Sequence, residues 1–194
     1  MSRRTLLVGI IGVVMILGSL FFKLPAKDNT ALIIENTPAS LAQEVTQPKF
    51  PVRLKIPVIK VDALIESVGL TSDRAMDVPK NREDVGWFNL APNPGDDGTA
   101  IIDGHYGQKN KKPSAFDNLH KLRKGDELFV EDNTGATIAF VVREILRYDP
   151  KADASVVFGV NTGPSHLNLI TCEGLWDDIS EGYPQRLVVF TDKK

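Results

Sequence analysis

Residues 167–174 read Leu-Asn-Leu-Ile-Thr-Cys-Glu-Gly, a hydrophobic run that ends in a thiol and a glycine. The run predicts a buried β-strand, and Gly174 predicts that this strand stops there. Cys172 is the only cysteine in the 194-residue chain, so no disulfide can form within it. An unpaired thiol is either a small buried apolar residue or a reactive group. Because Cys172 ends the apolar run and adjoins a loop, we favour the reactive group.

Short strand-like segments separated by turns lie on the N-terminal and C-terminal sides of this run. Residues 52–56 alternate apolar and polar side chains with the period of two that is typical of a half-buried strand. Residues 133–135, Asn-Thr-Gly, lie between two such segments and predict a hairpin, and residues 115–123 are the one helical candidate. About eight strands with one or two helical turns predict a mostly-β domain, either a closed barrel or a sandwich. The strand candidates are residues 52–56, 59–68, 75–78, 99–104, 127–132, 136–146, 166–172 and 186–191.

The N-terminal region has the pattern of a membrane anchor. Residues 5–22 contain no charge and no proline, and a helix of that length is roughly 27 Å long, close to the thickness of the hydrocarbon layer. Arg3 and Arg4 predict that residues 1–4 are cytoplasmic and that the remainder is extracellular. A cleaved signal peptide is the alternative. We favour an uncleaved anchor because no convincing Ala-x-Ala site follows Phe22.

The rest of the chain divides into a tether and one domain. Residues 23–50 are poorly periodic and predict a flexible extracellular tether that spans roughly 30 Å. Residues 51–194 are numerous enough to bury an apolar core. A formal net charge of −2 leaves no basic patch for a nucleic-acid partner. We therefore expect a single-pass protein of the cell membrane with its folded domain outside.

A reactive thiol needs a neighbour that stabilises the thiolate or handles protons, and the chain has three histidines. His166 precedes Cys172 by six positions, about 20 Å along a continuous strand, which is too far for contact. His120 is expected to be a half-buried structural histidine. His105 follows the predicted strand 99–104 where a loop begins, a position typical of active sites. On the residues alone, a catalytic role and an ordinary turn position are equally favoured for His105.

Two charged residues near strand ends have alternative interpretations. Arg186 begins the last predicted strand. It is either a solvated strand end, the commoner case, or a permanent cation able to stabilise an oxyanion. Asp103 precedes His105 by two positions on the same strand face. We expect it to face solvent rather than to orient the imidazole ring.

No cofactor and no metal are expected from the sequence. The single cysteine and the dispersed histidines lack the spacing of zinc ligands. Calcium is the one candidate ion, at a scatter of acidic residues, but solvated surface is favoured because the spacing of an EF-hand loop is absent. These residues are Glu66, Asp73, Asp77, Glu83 and Asp84.

Three segments, in this order, resemble the sortase family of cysteine transpeptidases. They are Gly104-His105, Leu169-Ile170-Thr171-Cys172, and Arg186 at the head of Leu-Val-Val-Phe. The likeness covers about residues 50–194. The Ile-Thr-Cys-x-Gly form resembles the single-domain class labelled E or F, although Glu173 stands where that class commonly carries glycine. Other similar segments are IPVIKVDA (56–63), AMDVP (75–79), VGWF (85–88), PG (94–95) and LRKGDE (122–127).

The resemblance implies an eight-stranded sortase-type β-barrel and a thiol-dependent peptide-bond hydrolase and acyl transferase. The implied substrates are secreted proteins with a C-terminal sorting signal of the Leu-Pro-x-Thr-Gly type. Cys172 would form a thioester with the threonine carbonyl and pass the acyl group to an amine in a cell-wall precursor or a pilin. His105 would be the general acid and Arg186 the oxyanion donor. The Thr171 hydroxyl would position the loop or the substrate, unless the residue is there for β-propensity alone.

Two alternatives remain open at this point. One is another kind of cysteine peptidase, although papain-like enzymes place cysteine before histidine and this chain has the order His, Cys, Arg. The other is a catalytically weak, membrane-tethered barrel that binds peptides without turnover. The sorting motif, the amine acceptor and a housekeeping or pilus role are not fixed by these residues.

Overall fold

The computed structural model describes residues 48–108, 112–159 and 162–194. The predicted cytoplasmic N-terminus, the predicted anchor at 5–22 and nearly all of the predicted tether lie outside the described residues. Within the described part of the chain, no helix has the length and apolar character needed to cross a membrane.

Eight strands in the described residues close into one barrel, which confirms the predicted mostly-β fold. The strands are β1 (Pro51–Ile56), β2 (Val61–Val68), β3 (Val85–Phe88), β4 (Gly98–Gly104), β5 (Glu127–Asp132), β6 (Thr137–Tyr148), β7 (Ser165–Glu173) and β8 (Gln185–Lys193). Their order around the barrel is β1-β2-β3-β4-β7-β8-β6-β5, and β5 pairs with β1 to close it. The pairs β2–β3 and β4–β7 are parallel, and the other pairs are antiparallel. Short helical turns connect them: the 3-10 turns Pro57–Ile59 and Leu119–Lys121, and α1 (Ser155–Phe158).

β7 is hydrophobic along most of its length because both of its faces are covered. Leu167 and Leu169 point into the barrel and are fully buried in the main core. Ile170 points outward and packs against a second apolar cluster, which includes Val157 of α1 and Val188 of β8. The continuous run in the sequence therefore reflects two apolar layers, with the second lying outside the barrel wall.

The helix predicted at residues 115–123 is present only as turns followed by the 3-10 turn Leu119–Lys121. Phe116, Leu119 and Leu122 are all fully buried, so the predicted apolar face is real. Their spacing of three residues matches a 3-10 helix, with three residues per turn, better than an α-helix.

One strand prediction is wrong, and one strand was missed. Residues 75–78 form no strand; Met76 makes only an isolated bridge to Leu70. The missing strand is β3, whose four residues are too short to show a periodic pattern. The hairpin predicted at residues 133–135 is confirmed, since β5 and β6 pair antiparallel on either side of it.

Gly104 ends β4 where the barrel core leaves no room for a side chain. A Cβ atom on this residue would lie 2.6 Å from the Phe116 ring. We therefore expect Gly104→Ala to lower the free energy of unfolding by about 1–3 kcal/mol through overpacking, measured by urea denaturation. Gly69→Ala is the matched control, because its Cβ atom would have no neighbour closer than 3.8 Å. Equal denaturation midpoints for the two variants would contradict this packing.

Candidate active site

The strand registers bring three predicted site residues into one row. In the parallel pair β4–β7, Thr99 lies opposite His166, and partner numbers differ by 67 throughout. The same offset, carried one residue past β4, places His105 beside Cys172. The antiparallel pair β7–β8 places Cys172 directly opposite Arg186. The imidazole, the thiol and the guanidinium, which are distant in the sequence, therefore occupy neighbouring positions at one end of three adjacent strands.

This row lies in a groove of about 580 Å³ on the outside of the barrel. Cys172, His105 and Arg186 all contribute to its lining. Much of the remaining surface is apolar and comes from the loop 69–78, from α1 and from the outer faces of β7 and β8. These apolar side chains are Leu70, Met76, Val78, Phe158, Ile170 and Val188. The groove can therefore hold apolar side chains of a ligand next to a thiol.

Cys172 is a free cysteine and is partly exposed. Burial raises the pKa of the Cys172 thiol, and this outweighs the positive charge of Arg186, which lowers it. The positive charge of Arg82 also lowers the pKa of the thiol, but less than that of Arg186 does. To act as a nucleophile, this thiol would have to lose a proton to a neighbouring base before or during its attack.

The imidazole of His105 is oriented by one backbone contact. Its Nε2 atom lies 2.9 Å from the carbonyl oxygen of Pro79. A carbonyl oxygen only accepts hydrogen bonds, so Nε2 carries the hydrogen in this contact. Among the described residues nothing bonds to Nδ1, and in the neutral ring that nitrogen is the base. His105 is thus arranged to take one proton on Nδ1 while Nε2 holds the ring in place.

Arg186 directs one end of its guanidinium towards its own loop. Nη1 donates to the carbonyl oxygens of Gln185 at 3.2 Å and Tyr183 at 3.4 Å. Within the described chain Nε and Nη2 make no hydrogen bond, so they are available to a ligand. An arginine held at one end and open at the other is suited to donating to a developing oxyanion.

Thr171 fixes the junction between β7 and the end of β4. Its side chain is buried, and its hydroxyl donates to the Gly104 carbonyl at 2.6 Å. Gly104 directly precedes His105, so this bond keeps the backbone at His105 in register with Cys172. The hydroxyl therefore has a partner inside the protein, and a contact between Thr171 and substrate stays a prediction.

The sortase domain model matches residues 54–194, well over half of the chain. The chain belongs to the sortase family. A comparison with curated proteins gives no match.

Solved sortase structures share this fold. Sortase C-1 from Actinomyces oris is 27% identical, with 74% of each chain covered and a TM-score of 0.59. Streptococcus agalactiae sortase C1, in complex with MTSET, is 23% identical over 74% of this chain and 68% of that chain, with a TM-score of 0.58. Sortase A from Corynebacterium diphtheriae is 22% identical over 78% of this chain and 63% of that one, also with a TM-score of 0.58. The family prediction is confirmed, and assignment to class E or F stays a sequence-based prediction.

Arg82 was given no role on sequence grounds, yet in this sortase it holds the segment that follows His105. Its Nη2 donates to the carbonyl oxygens of Tyr106 at 2.8 Å and Gly107 at 2.7 Å, and its Nε donates to the Ser114 hydroxyl. No sequence pattern signals this role, because Arg82 lies in a turn remote from the segment it binds. Arg82 is thus a positioning residue for the loop that carries the imidazole.

Glu173, the departure from the class E or F pattern, is paired with an arginine. Its carboxylate accepts from Arg147 of β6, with Oε1 3.0 Å from Nη2, and its side chain is only 14% exposed. Arg147 also lacked an assigned role in the sequence analysis. The negative charge of this carboxylate, which lies next to the thiol, is thus balanced by an arginine from β6, on the far side of β8.

The other two histidines lie away from the thiol. His166 places Nδ1 2.8 Å from the Asp192 carboxylate, in agreement with its exclusion from the site. His120 is exposed, so the prediction of a half-buried position is wrong. The cause is the 3-10 turn Leu119–Lys121, which points Leu119 into the core and His120 outward.

The acidic residues considered for calcium do not form a cluster of ligands. In the part of the chain that the structure describes, no three His, Cys, Asp or Glu side chains are placed to hold a metal ion. Glu66 instead accepts from the backbone N–H groups of Lys80 and Asn81, and Asp84 accepts from the Asn81 amide. These contacts stabilise the turn that precedes β3. The expectation that these residues are solvated surface, with calcium binding as the less favoured alternative, stays a sequence-based prediction.

Proposed function

We propose that this sortase is a cysteine transpeptidase that cleaves a sorting signal of the Leu-Pro-x-Thr-Gly type and joins the acyl fragment to an amine. The observation that carries this proposal is the row of His105, Cys172 and Arg186 in one groove. A nucleophile, a proton carrier and an oxyanion donor side by side are the set that acyl transfer through a covalent intermediate requires.

In the first half-reaction the Cys172 sulfur attacks the threonine carbonyl carbon of the bound peptide. His105 takes the thiol proton on Nδ1, and the resulting imidazolium gives it to the nitrogen of the leaving glycine. The peptide bond breaks, a thioester forms on Cys172, and the C-terminal fragment leaves as an amine. Because burial raises the pKa of the Cys172 thiol, the proposed step includes this proton transfer to His105.

Arg186 assists by donating from Nε and Nη2 to the oxyanion of the tetrahedral intermediate. Its charge also favours the thiolate directly, since Arg186 lowers the pKa of Cys172 against the effect of burial. One side chain thus stabilises negative charge first on sulfur and then on oxygen.

In the second half-reaction an amine attacks the thioester carbonyl. His105 accepts a proton from the incoming amine, an amide bond forms, and the thiolate leaves and is reprotonated. The proposed acceptors are amines of a cell-wall precursor or of a pilin. If no amine arrives, water hydrolyses the thioester more slowly.

The apolar walls of the groove suit an extended peptide with an apolar side chain upstream of the scissile bond. The proposed donors are secreted proteins with a C-terminal sorting signal. We place the reaction at the outer face of the cell membrane, in keeping with the anchor predicted at residues 5–22.

Arg186→Ala is expected to reduce kcat/KM for peptide cleavage by about 10²–10³, the effect of removing one oxyanion donor. Arg186→Lys keeps the charge but loses the forked donor geometry, so its activity should lie between those of the wild type and Arg186→Ala. Arg143→Gln is the matched control, because Arg143 is an exposed β6 residue that pairs with Asp192 away from the groove. Wild-type kinetics in Arg186→Ala would rule out this role.

The proposed function is tested with the full-length protein, a Leu-Pro-x-Thr-Gly peptide and an added glycine peptide as the amine. Chromatography with mass spectrometry should show cleavage between threonine and glycine and a new amide that joins threonine to the added amine. A peptide with the same residues in scrambled order is the substrate control. If the wild type and Cys172→Ala bind the peptide equally and neither turns it over, the chain is a peptide-binding barrel.

A further inference from the structure

Asp103 lies directly beside the proposed catalytic row. It belongs to β4, two residues before His105 and on the same outward face. Gly86 of β3 lies opposite it on one side and Ile170 of β7 on the other. Its side chain lines the same groove as Cys172. Ile170 is two residues before Cys172, so Asp103 is the diagonal neighbour of the thiol, at a backbone separation of roughly 7–8 Å.

Asp103 is half-buried and one oxygen of its carboxyl group is shielded from solvent, so the prediction that it faces solvent is wrong. Its Oδ1 atom is shielded from solvent and has no hydrogen-bond partner in the described parts of the chain. Oδ1 fills the space above Gly86, where a Cβ atom would come within 2.5 Å of it. A buried carboxylate oxygen without a donor is unfavourable, whereas the protonated form avoids the charge.

The charges around Asp103 also favour its protonated form. Burial is the main cause that raises its pKa to about 8; a hydrogen bond with its own backbone opposes this rise, and the carboxylates of Asp77 and Glu66 add to it. β3 contributes no charged side chain opposite it, and His105 and Arg186 line the groove on the thiol side. The other titratable side chains of the groove are Arg74, Tyr148, Asp149 and Asp153.

The negative charge of ionised Asp103 acts electrostatically on the Cys172 thiol. The Asp103 carboxylate raises the pKa of the Cys172 thiol, in opposition to Arg186. The direction follows from the sign of the charges, because two anions that share one poorly solvated groove destabilise each other. Ionisation of Asp103 therefore makes the thiolate harder to form.

We propose that Asp103 is a positioning residue that acts through Cys172: its shielded carboxyl carries no charge at neutral pH and lowers the reactivity of the thiol when it ionises. The inference rests on the proposed function only in that Cys172 is the nucleophile. Below about pH 8 the carboxyl holds its proton and leaves the thiol unaffected. As the pH rises through that value the proton is lost, and the reactivity of Cys172 rises less steeply than it does for an isolated thiol.

The test is the rate of Cys172 alkylation by iodoacetamide from pH 6 to pH 10, in the full-length wild type and in Asp103→Asn. The substitution keeps the shape of the side chain and removes its ionisation. We expect equal rates at pH 6 and a rate for Asp103→Asn that is about threefold to tenfold higher near pH 9, equivalent to a thiol pKa lower by about half a unit to one unit.

Asp62→Asn is the matched control, since Asp62 is an exposed residue of β2 that pairs with Arg53. Superimposed curves for the wild type and Asp103→Asn, or a rate difference that is constant across the whole pH range, would overturn the proposal. Alkylation needs no peptide turnover, so this result is independent of whether the sorting-signal reaction occurs.

A second measurement uses the wild type alone and does not depend on the folding of the variant. The Asp103 carboxyl carbon, followed by ¹³C NMR during a pH titration, should show a midpoint near 8. A midpoint near 4, the ordinary range of an aspartate, would overturn the proposal even if the alkylation rates differ.

Discussion

Cys172→Ala is expected to reduce cleavage of a sorting-signal peptide by about 10⁴-fold or more, to the level of the uncatalysed background. The proposed reaction passes through a thioester on this sulfur, and no second cysteine exists to replace it. Arg186 and His105 remain in place in the variant, but without a nucleophile they have no intermediate to act on. Single-turnover kinetics with a fluorogenic peptide measures the loss.

The fold should survive this substitution. Cys172 lies at the end of β7 and is partly exposed, so loss of its sulfur leaves no cavity inside the barrel. We expect a Tm close to that of the wild type and retained peptide binding. Peptide cleavage by Cys172→Ala at more than a tenth of the wild-type rate would exclude the covalent mechanism.

His105→Gln is expected to lower kcat by about 10²–10⁴, the contribution of a positioned proton carrier. Glutamine can still donate to the Pro79 carbonyl from its amide, so the backbone contact can persist while proton transfer is lost. Because burial raises the thiol pKa, the variant should regain part of its rate at high pH, where the thiol ionises without help. The kcat–pH profile of the two proteins measures this change.

His166→Gln is the matched control for this prediction. His166 lies on β7, the same strand as Cys172, but its ring pairs with Asp192. Its pH profile should retain the wild-type shape. A wild-type profile in His105→Gln as well would show that another group carries the proton.

Much of the barrel could be predicted from the sequence because its signals are local. The alternation of apolar and polar side chains at residues 52–56 and the apolar run before Cys172 indicate which faces of each strand are buried. β3 could not be found in this way, since four residues contain too few alternations to define a period. The turn that holds Phe116, Leu119 and Leu122 was assigned the wrong helix type because a single apolar face fits both periods.

The candidate site was predicted only where it coincides with strand ends. Cys172 and Arg186 lie opposite each other in the antiparallel pair β7–β8. His105 is placed beside Cys172 by the register of the parallel pair β4–β7. No segment of the chain carries that information alone, so the row follows only from the order of strands around the barrel. The resemblance to sortases supplied the grouping that the residues by themselves left open.

The supporting residues could not be predicted because their partners come from distant segments. Asp103 was expected in solvent because aspartate is rarely buried. The glycine at position 86, from another strand, makes the space that its carboxyl fills. Arg82 and Arg147 likewise bind groups more than twenty residues away.

The central claim is that Cys172 becomes acylated by a sorting-signal peptide with the help of its two neighbours in the row. Intact-protein mass spectrometry tests it most directly, with the full-length protein, a Leu-Pro-x-Thr-Gly peptide and no added amine. The account predicts a mass increase equal to the Leu-Pro-x-Thr acyl fragment, located on Cys172 by peptide mapping, and removed when a glycine peptide is added. A protein that cleaves the peptide with no adduct on Cys172, or with the adduct on another residue, would contradict it.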